Sequence, residues 1–358
     1  EYIRRYEITP TEHLIEQINC LIAETGHRTF HFVDEAAPPA ALKALAISLL
    51  ERGVQISWWG NIRFEEAFTP DLCRLLAASG CIAVTAGLEA ASDRLLAKMR
   101  KGITVDQTAR VARAFREAGV LVHAYLMYAF PSETLQETMD SLERVRQLFS
   151  ADLVQSAFWH RFTATTHSPI GIDPKANGLR ILGPEFQGFA DNDLIHLDRH
   201  GETPEWVGEG LRRSMLNFLE GRGLAMDVRQ WFDQSIPSPR VSRSWIDRIL
   251  DERFIQNDLK AERRCVWIGG SPVIESRGRR ARLHLASPKE HMAVTLASRQ
   301  ATWLSDLLVQ AGVRRQRKGV YPSWQDARRA FPGKPAEFAA FVKQPAWRKI
   351  RAAGLLLV

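Results

Sequence analysis

The chain has 358 residues, 45% of them hydrophobic and 25% charged, a balance that excludes a disordered, collagenous or disulfide-stapled polypeptide. Its formal net charge is +7, and nothing approaches the roughly 18 consecutive apolar residues of a membrane span. The length exceeds the usual size of one domain, so one large α/β domain with a smaller companion is expected. The start at Glu1 has neither Met nor a signal-peptide pattern and reads as a piece of a longer, cytoplasmic protein.

In chain order, Leu14, Ile15, Ile18, Leu21 and Ile22 follow a helical period over 10–25, with Thr9 or Thr11 as its cap. A short strand over 29–33 ends in Asp34 and Glu35. Pro38 and Pro39 open a helix over 40–51, which Gly53 closes. A strand over 55–59 leads to Gly60, Asn61 and Arg63; Thr69 then caps a helix over 70–79 that Gly80 stops. A strand over 81–86 delivers Glu89 and is followed by helices over 92–99 and 104–118. A strand over 121–128, a helix over 132–149 and a strand over 153–159 complete the run.

Five strands alternating with helices through short loops predict a parallel sheet of right-handed crossovers. The pattern leaves an open twisted sheet and a curved partial barrel as alternatives. Both build sites at the carboxyl ends of their strands, where Asp34, Glu35, Asn61, Arg63, Glu89, Glu133 and His160 gather. His123 and Tyr125 share one face of their strand. Turned inward, that face lines a substrate cavity, with Trp159 and His160 beside it.

Beyond 162 the pattern loosens into a loop-rich tract over 163–188. Asp191, Asp193 and Asp198 with His196 and His200 read as solvated surface in preference to a metal site. Helices are expected over 203–221, 228–232 and 245–254. After about 260 come strands over 265–274, 281–286 and 293–296, then helices over 298–311, 323–331 and 336–353. The basic clusters Arg277, Arg279, Arg280, Arg282 and Arg314, Arg315, Arg317, Lys318 read as a solvated turn and loop, so nucleic acid is not the expected partner. Cys20, Cys73, Cys81 and Cys265 have no CxxC or CxxxCxxC spacing and read as buried small hydrophobes in a reducing compartment, not as metal ligands.

The phrase Gly-Leu-Glu-Ala-Ala-Ser-Asp-Arg-Leu-Leu-Ala-Lys-Met-Arg-Lys-Gly over 87–102 resembles the fourth-strand signature of radical S-adenosylmethionine (radical SAM) enzymes. Phe-His-Phe-Val-Asp-Glu-Ala over 30–36, Trp-Trp-Gly-Asn-Ile-Arg over 58–63 and Tyr-Ala-Phe-Pro-Ser-Glu-Thr over 128–134 resemble that family's second-, third- and fifth-strand motifs, in the right order. The likeness is greatest to the group carrying an N-terminal cobalamin-binding domain. It implies a partial TIM-type (β/α) barrel over 1–170 that lacks its first strand, a loop-rich and helical extension over 171–260, and a small α+β domain over 263–358. The five strands would be the family's second to sixth. The CxxxCxxC that binds a 4Fe–4S cluster would then lie before Glu1.

The resemblance further implies S-adenosylmethionine as cofactor, cobalamin in the full-length protein, and an electron donor such as a flavodoxin or ferredoxin. Glu89 would hydrogen bond the cofactor, Asp34 and Glu35 would meet its ammonium or shape the cluster rim, and Asn61 and Arg63 would reach ribose and carboxylate. Lys101 would pair with the cofactor carboxylate, and Glu133 matches the fifth-strand turn. Ala129 and Ser132 stand where the family usually has glycines. The implied activity is reductive cleavage of S-adenosylmethionine to a 5′-deoxyadenosyl radical, for hydrogen abstraction or radical methylation of an unknown substrate. The fragment alone would be inactive. The alternatives are a cluster-free barrel serving as a binding or scaffold module, and a nucleic-acid-modifying protein using its basic tail. An aldolase-like lyase would need a buried barrel lysine, and the strands over 29–160 carry none.

Overall fold

The computed structural model describes residues 8–185, 191–251, 261–287, 291–313 and 320–358. Its first half is a sheet of β1 (Thr29–Phe32), β2 (Ser57–Ile62), β3 (Cys81–Glu89), β4 (Leu121–Tyr128) and β5 (Ser156–Arg161), all parallel and adjacent in sequence order. Helices α1 (Thr11–Thr25), α2 (Pro39–Arg52), α3 (Pro70–Ala78), α4 (Asp93–Lys98), α5 (Val105–Ala118) and α6 (Leu135–Ser150) precede and separate the strands. A strand order that never reverses keeps the crossover helices on one side of the sheet. Burial shows this directly. Trp58, Val84, Ala86, Val122, Ala124 and Leu126 are buried in the core against the helices, while the alternate residues His31, Tyr125 and Phe158 are exposed. A doubly wound sheet would bury both faces; this one is a partial barrel, open between β1 and β5.

Local chemistry explains the helix starts. The hydroxyls of Thr69, Ser92, Thr104 and Thr134 accept from the backbone of α3, α4, α5 and α6, the last in a reciprocal capping box with Glu137. Helix α1 begins after Pro10 with no side-chain cap, so neither Thr9 nor Thr11 has that role. Gly80 turns α3 into β3 at φ +99, where a Cβ would lie 1.9 Å from the Ile56 carbonyl oxygen. Gly60, expected to end its strand, lies inside β2 instead, which carries Asn61 into the sheet.

Beyond the barrel, β6 (Ala164–Thr165), α7 (Pro169–Ile172), β7 (Leu179–Gly183) and β8 (Asp193–Asp198) build a small antiparallel sheet in the order β6-β8-β7, where the sequence reads as loop. Helix α8 (Glu205–Leu219) buries Val207, Leu211, Met215 and Phe218, and α9 (Trp245–Asp251) buries Trp245, Ile246 and Ile249 in the barrel's core.

The last part comprises β9 (Cys265–Trp267), β10 (Val273–Arg277), β11 (Arg280–Ala286), β12 (His291–Ala297), α10 (Ser298–Ala311), α11 (Trp324–Arg329), α12 (Pro335–Phe341), α13 (Pro345–Ala353) and β13 (Leu355–Leu357). Strands β10 to β12 form an antiparallel meander, and β9 pairs with β13. The single strand expected over 265–274 is thus two strands in different sheets, parted at Gly269, Gly270 and Pro272. Pro345 likewise restarts the helix expected over 336–353. Trp267, Trp303, Trp324, Phe341 and Trp347 anchor this part's own core.

This C-terminal part is bolted to the outer wall of the barrel. Asp71 of α3 accepts from the Arg351 guanidinium and, at 2.9 Å, from the Leu357 N–H. Arg74 donates to the carbonyls of Arg351 and Ala352 at 2.8 and 2.6 Å. Val266, Val313, Tyr321 and Leu356 join the barrel's apolar core, and the Tyr321 hydroxyl donates to Glu51 at 2.7 Å.

Cys73, Cys81 and Cys265 are buried as expected, but Cys20 is exposed, on the face of α1 away from Ile15 and Ile18. The cluster over 314–318 and the end of the helix expected over 245–254 lie outside the described residues. Among the described residues no helix is long and apolar enough to cross a membrane, and no group of His, Cys, Asp and Glu could hold a metal ion.

Candidate functional site

The carboxyl ends of β2 and β3 bring three predicted residues to one point. Glu89 ends β3 in the left-handed region, at φ +58. Lys101, past α4, donates to its carboxylate at 2.6 Å, and Arg63 donates to the Lys101 carbonyl. The Glu89 carboxylate folds back over Gly87, where a Cβ would lie 2.2 Å from it. A side chain at position 87 would displace the Glu89 carboxylate from this place. Next along the rim, Asn61 donates to the Asp34 carbonyl at 2.8 Å and ties the loop after β1 to β2; Asp34 and Glu35 themselves are exposed.

Glu133 is placed differently. Its carboxylate turns inward and accepts from the Phe130 N–H at 3.0 Å and the Thr138 hydroxyl at 2.7 Å, so it closes the turn after β4. Burial pushes its carboxyl up to about 7, against hydrogen bonds from Thr138 and the backbone that favour the anion. The neighbouring Glu137 is also raised by burial, but hydrogen bonds from Arg94 and Thr134 outweigh this and bring it to about 2. A raised carboxyl binds its proton more tightly in the folded state. Its stability contribution is full below about 4.5, the unfolded value, and is lost as pH rises through about 7. Glu133→Gln is expected to flatten this fall in stability between pH 5 and 8, read as thermal midpoints across that range; an unchanged pH profile would contradict it.

The turn itself explains why glycine would suit two of its positions. Ala129 and Ser132 have φ +61 and +71, a region costly for any residue with a Cβ. A brace holds the turn there. The Ser132 N–H donates to Asp198 of β8 at 2.9 Å, Lys98 donates to the Ser132 hydroxyl and the Pro131 carbonyl at 2.7 and 2.9 Å, and Arg94 donates to the Ser132 carbonyl at 2.8 Å. Asp198, read from sequence as a solvated acid, is thus a structural partner of the turn, and Arg94 and Lys98 join it. No local sequence signal marks these long-range contacts. Ala129→Val, a branched side chain at positive φ, is expected to lose about 2 kcal/mol or more, whereas Ala129→Gly is tolerated; urea melts of the two variants check this.

The concave face below the rim carries rings. His31 stacks on Trp59 with centroids 4.7 Å apart, His123 meets Tyr125 edge-on at 5.1 Å, and His160 contacts Tyr125 and Phe158 at 5.8 and 4.6 Å. His123 Nδ1 lies 2.7 Å from the Ser156 hydroxyl, and burial followed by the neighbouring His160 lowers its pKa, which favours the neutral ring. Trp159 is not part of this face. Only 8% exposed, it packs in the core against the helices, because adjacent strand residues point to opposite sides. Phe158 takes the cavity-facing place.

A (β/α) partial barrel with a polar rim at its strand ends and an open, ring-lined lumen defines the class: a barrel that builds its site on the carboxyl edge. Residues 2–145 match the family profile of the Radical SAM superfamily. Among curated proteins, the chain is 27% identical over 231 residues to an uncharacterized methyltransferase of Pyrococcus horikoshii, covering 64% of this chain and 49% of that protein. It is 22% identical over 222 residues to the anaerobic magnesium-protoporphyrin IX monomethyl ester cyclase of Rubrivivax gelatinosus, covering 61% and 39%. The chain therefore spans about half or less of the length of these relatives. A solved structure with a similar arrangement is the radical S-adenosylmethionine methyltransferase TsrM of Kitasatospora setae, at 18% identity and a TM-score of 0.46 over 58% of this chain and 46% of that one.

Proposed function

We propose that this chain supplies the S-adenosylmethionine-orienting wall and substrate lumen of a radical SAM enzyme of the methyltransferase type. The observation that carries this reading is the rim at the ends of β2 and β3, where the Glu89 carboxylate and Lys101 ammonium lie 2.6 Å apart beside Arg63 and Asn61. S-adenosylmethionine presents an ammonium, a carboxylate and a ribose diol, and this rim offers partners of both signs. Glu89 would accept from the ribose hydroxyls. Lys101, Arg63 and Asn61 would face the carboxylate, and Asp34 and Glu35 the ammonium. Glu133 would act on the cofactor only through the turn it closes.

The chain's own cysteines do not fit an iron–sulfur cluster: three are buried in apolar cores and Cys20 sits on the exposed side of α1. The cluster's ligands are therefore assigned to the segment of the parent protein preceding Glu1. When bound there, the cluster would supply the electron that cleaves the cofactor reductively to a 5′-deoxyadenosyl radical, with a flavodoxin or ferredoxin as its source. The methyltransferase description of the P. horikoshii relative supports methyl transfer as the outcome, and the cobalamin that the sequence resemblance implies would be held by the full-length protein. The parent protein, extended upstream of Glu1 and purified anaerobically, is expected to hold about four irons with matching sulfide, as a Cys-ligated 4Fe–4S cluster requires. A well-folded extended protein without iron would leave a cluster-free binding barrel.

A further inference from the structure

We propose that the outer face of the β10–β12 meander binds the phosphodiester backbone of a nucleic acid. Arginines that read in sequence as a solvated turn are gathered by the fold onto this one face. Burial alternates along β11: Ala281, Leu283 and Leu285 enter the core of the C-terminal part, and Arg280, Arg282 and His284 take the opposite side. Arg279 stands in the turn between β10 and β11, and Arg299 in the first turn of α10. The start of α10 is tied to that turn. Ser298 donates through its hydroxyl to the Gly278 carbonyl at 2.8 Å and through its N–H to the Arg279 carbonyl at 3.1 Å. Arg279, Arg280, Arg282 and Arg299 are all exposed, and among the described residues no carboxylate pairs with any of them.

The register sets Ala297 beside Arg280, Thr295 beside Arg282 and Ala293 beside His284. Neighbouring strands are about 4.8 Å apart, so these small side chains form a shelf next to the basic row. Arg280 and Arg282 are about 7 Å apart along β11, close to the step between successive phosphates of an extended strand. Guanidinium forks pair bidentately with phosphate oxygens. Glu275, the one carboxylate of this face among the described residues, lies opposite Arg282 and contacts His284 at 3.3 Å, so the row stays net positive. Among its described residues the face carries no Phe, Tyr or Trp, and its one large apolar side chain, Val273, lies opposite His284 at the far end from the turn. A protein partner would want aromatic or apolar anchors at the centre of the contact, and a lipid surface would want apolar side chains to insert. The arginines have neither beside them. Without a ring on which bases stack, the contact is made to phosphates alone and is blind to sequence.

The test is fluorescence anisotropy of a labelled oligothymidylate of about twelve nucleotides, titrated with this chain at several salt concentrations. Four neutralised phosphates predict a slope of about −3 in log K against log salt for a single strand. The double variant Arg280→Gln, Arg282→Gln is expected to bring the slope to about −1.4 and to weaken binding at least tenfold at about 50 mM salt. The control Arg212→Gln, Arg222→Gln removes the same charge from exposed positions outside the meander and is expected to leave both readings unchanged. A mixed-sequence oligonucleotide of equal length is expected to bind as tightly as oligothymidylate. No saturable binding at about 50 mM salt, a slope untouched by the Arg280 and Arg282 substitutions, or an equal loss in the control variant would each overturn the inference. Equal competition by polyglutamate of matched charge would also overturn it, in favour of an acidic protein partner. The titration needs neither cluster nor cofactor, so its outcome is separate from that of the iron assay.

Discussion

Arg351→Ala is expected to destabilise the protein by about 3–5 kcal/mol, the cost of stranding one member of a buried ion pair. Arg351 and Asp71 are both buried, and the loss of the guanidinium leaves the Asp71 carboxylate with the Leu357 N–H, at 2.9 Å, and the more distant Arg74 guanidinium, at 3.9 Å, as its partners. The same side chain also donates to the Leu355 carbonyl, so β13 would lose a restraint as well. The C-terminal part and the barrel share apolar contacts through Val266, Val313 and Leu356. They are therefore expected to unfold together in the wild type, with one urea transition, and to separate in the variant. A loss below about 1 kcal/mol would show that the pair lies outside the junction's stable core.

Glu89→Gln in the extended, cluster-loaded protein is expected to weaken S-adenosylmethionine binding about ten- to hundredfold, the range of a hydrogen bond to a charged group worth about 1.5–3 kcal/mol. Iron content should not change, because Glu89 belongs to the rim and its partners are Lys101 and, through it, Arg63. Lys101→Met removes the rim ammonium and releases the carboxylate from its partner, so a smaller loss is expected. Isothermal titration with the cofactor reads both variants. Unchanged affinity in Glu89→Gln would move the cofactor away from the end of β3.

Much of the barrel was legible because its signals are local. Thr69 and Thr104 mark helix starts through their own hydroxyls, whereas the helix expected over 132–149 begins only at Leu135, behind a Thr134 cap; the alternation of strands with helices indicates a parallel sheet. The choice between open sheet and barrel was not legible, since it depends on which faces are covered. The rim was legible as a set of polar residues after strands, but its pairing was not. Glu89 and Lys101 meet only because α4 folds back over the end of β3. Glu133 shows the reverse error: a residue at a strand end looks available, yet a buried turn claims both of its oxygens. Trp159 and His160 were expected together although the period of a strand must part them. The antiparallel sheet β6-β8-β7, the Asp198 brace and the pairing of β9 with β13 all join distant segments, and no short-range pattern encodes such contacts.

The most direct measurement is the amount of 5′-deoxyadenosine formed from S-adenosylmethionine by the upstream-extended protein under anaerobic reduction. The wild type is expected to form it, with a marked drop in Glu89→Gln at the same iron content. A reduced, iron-loaded wild type that leaves S-adenosylmethionine intact would contradict it.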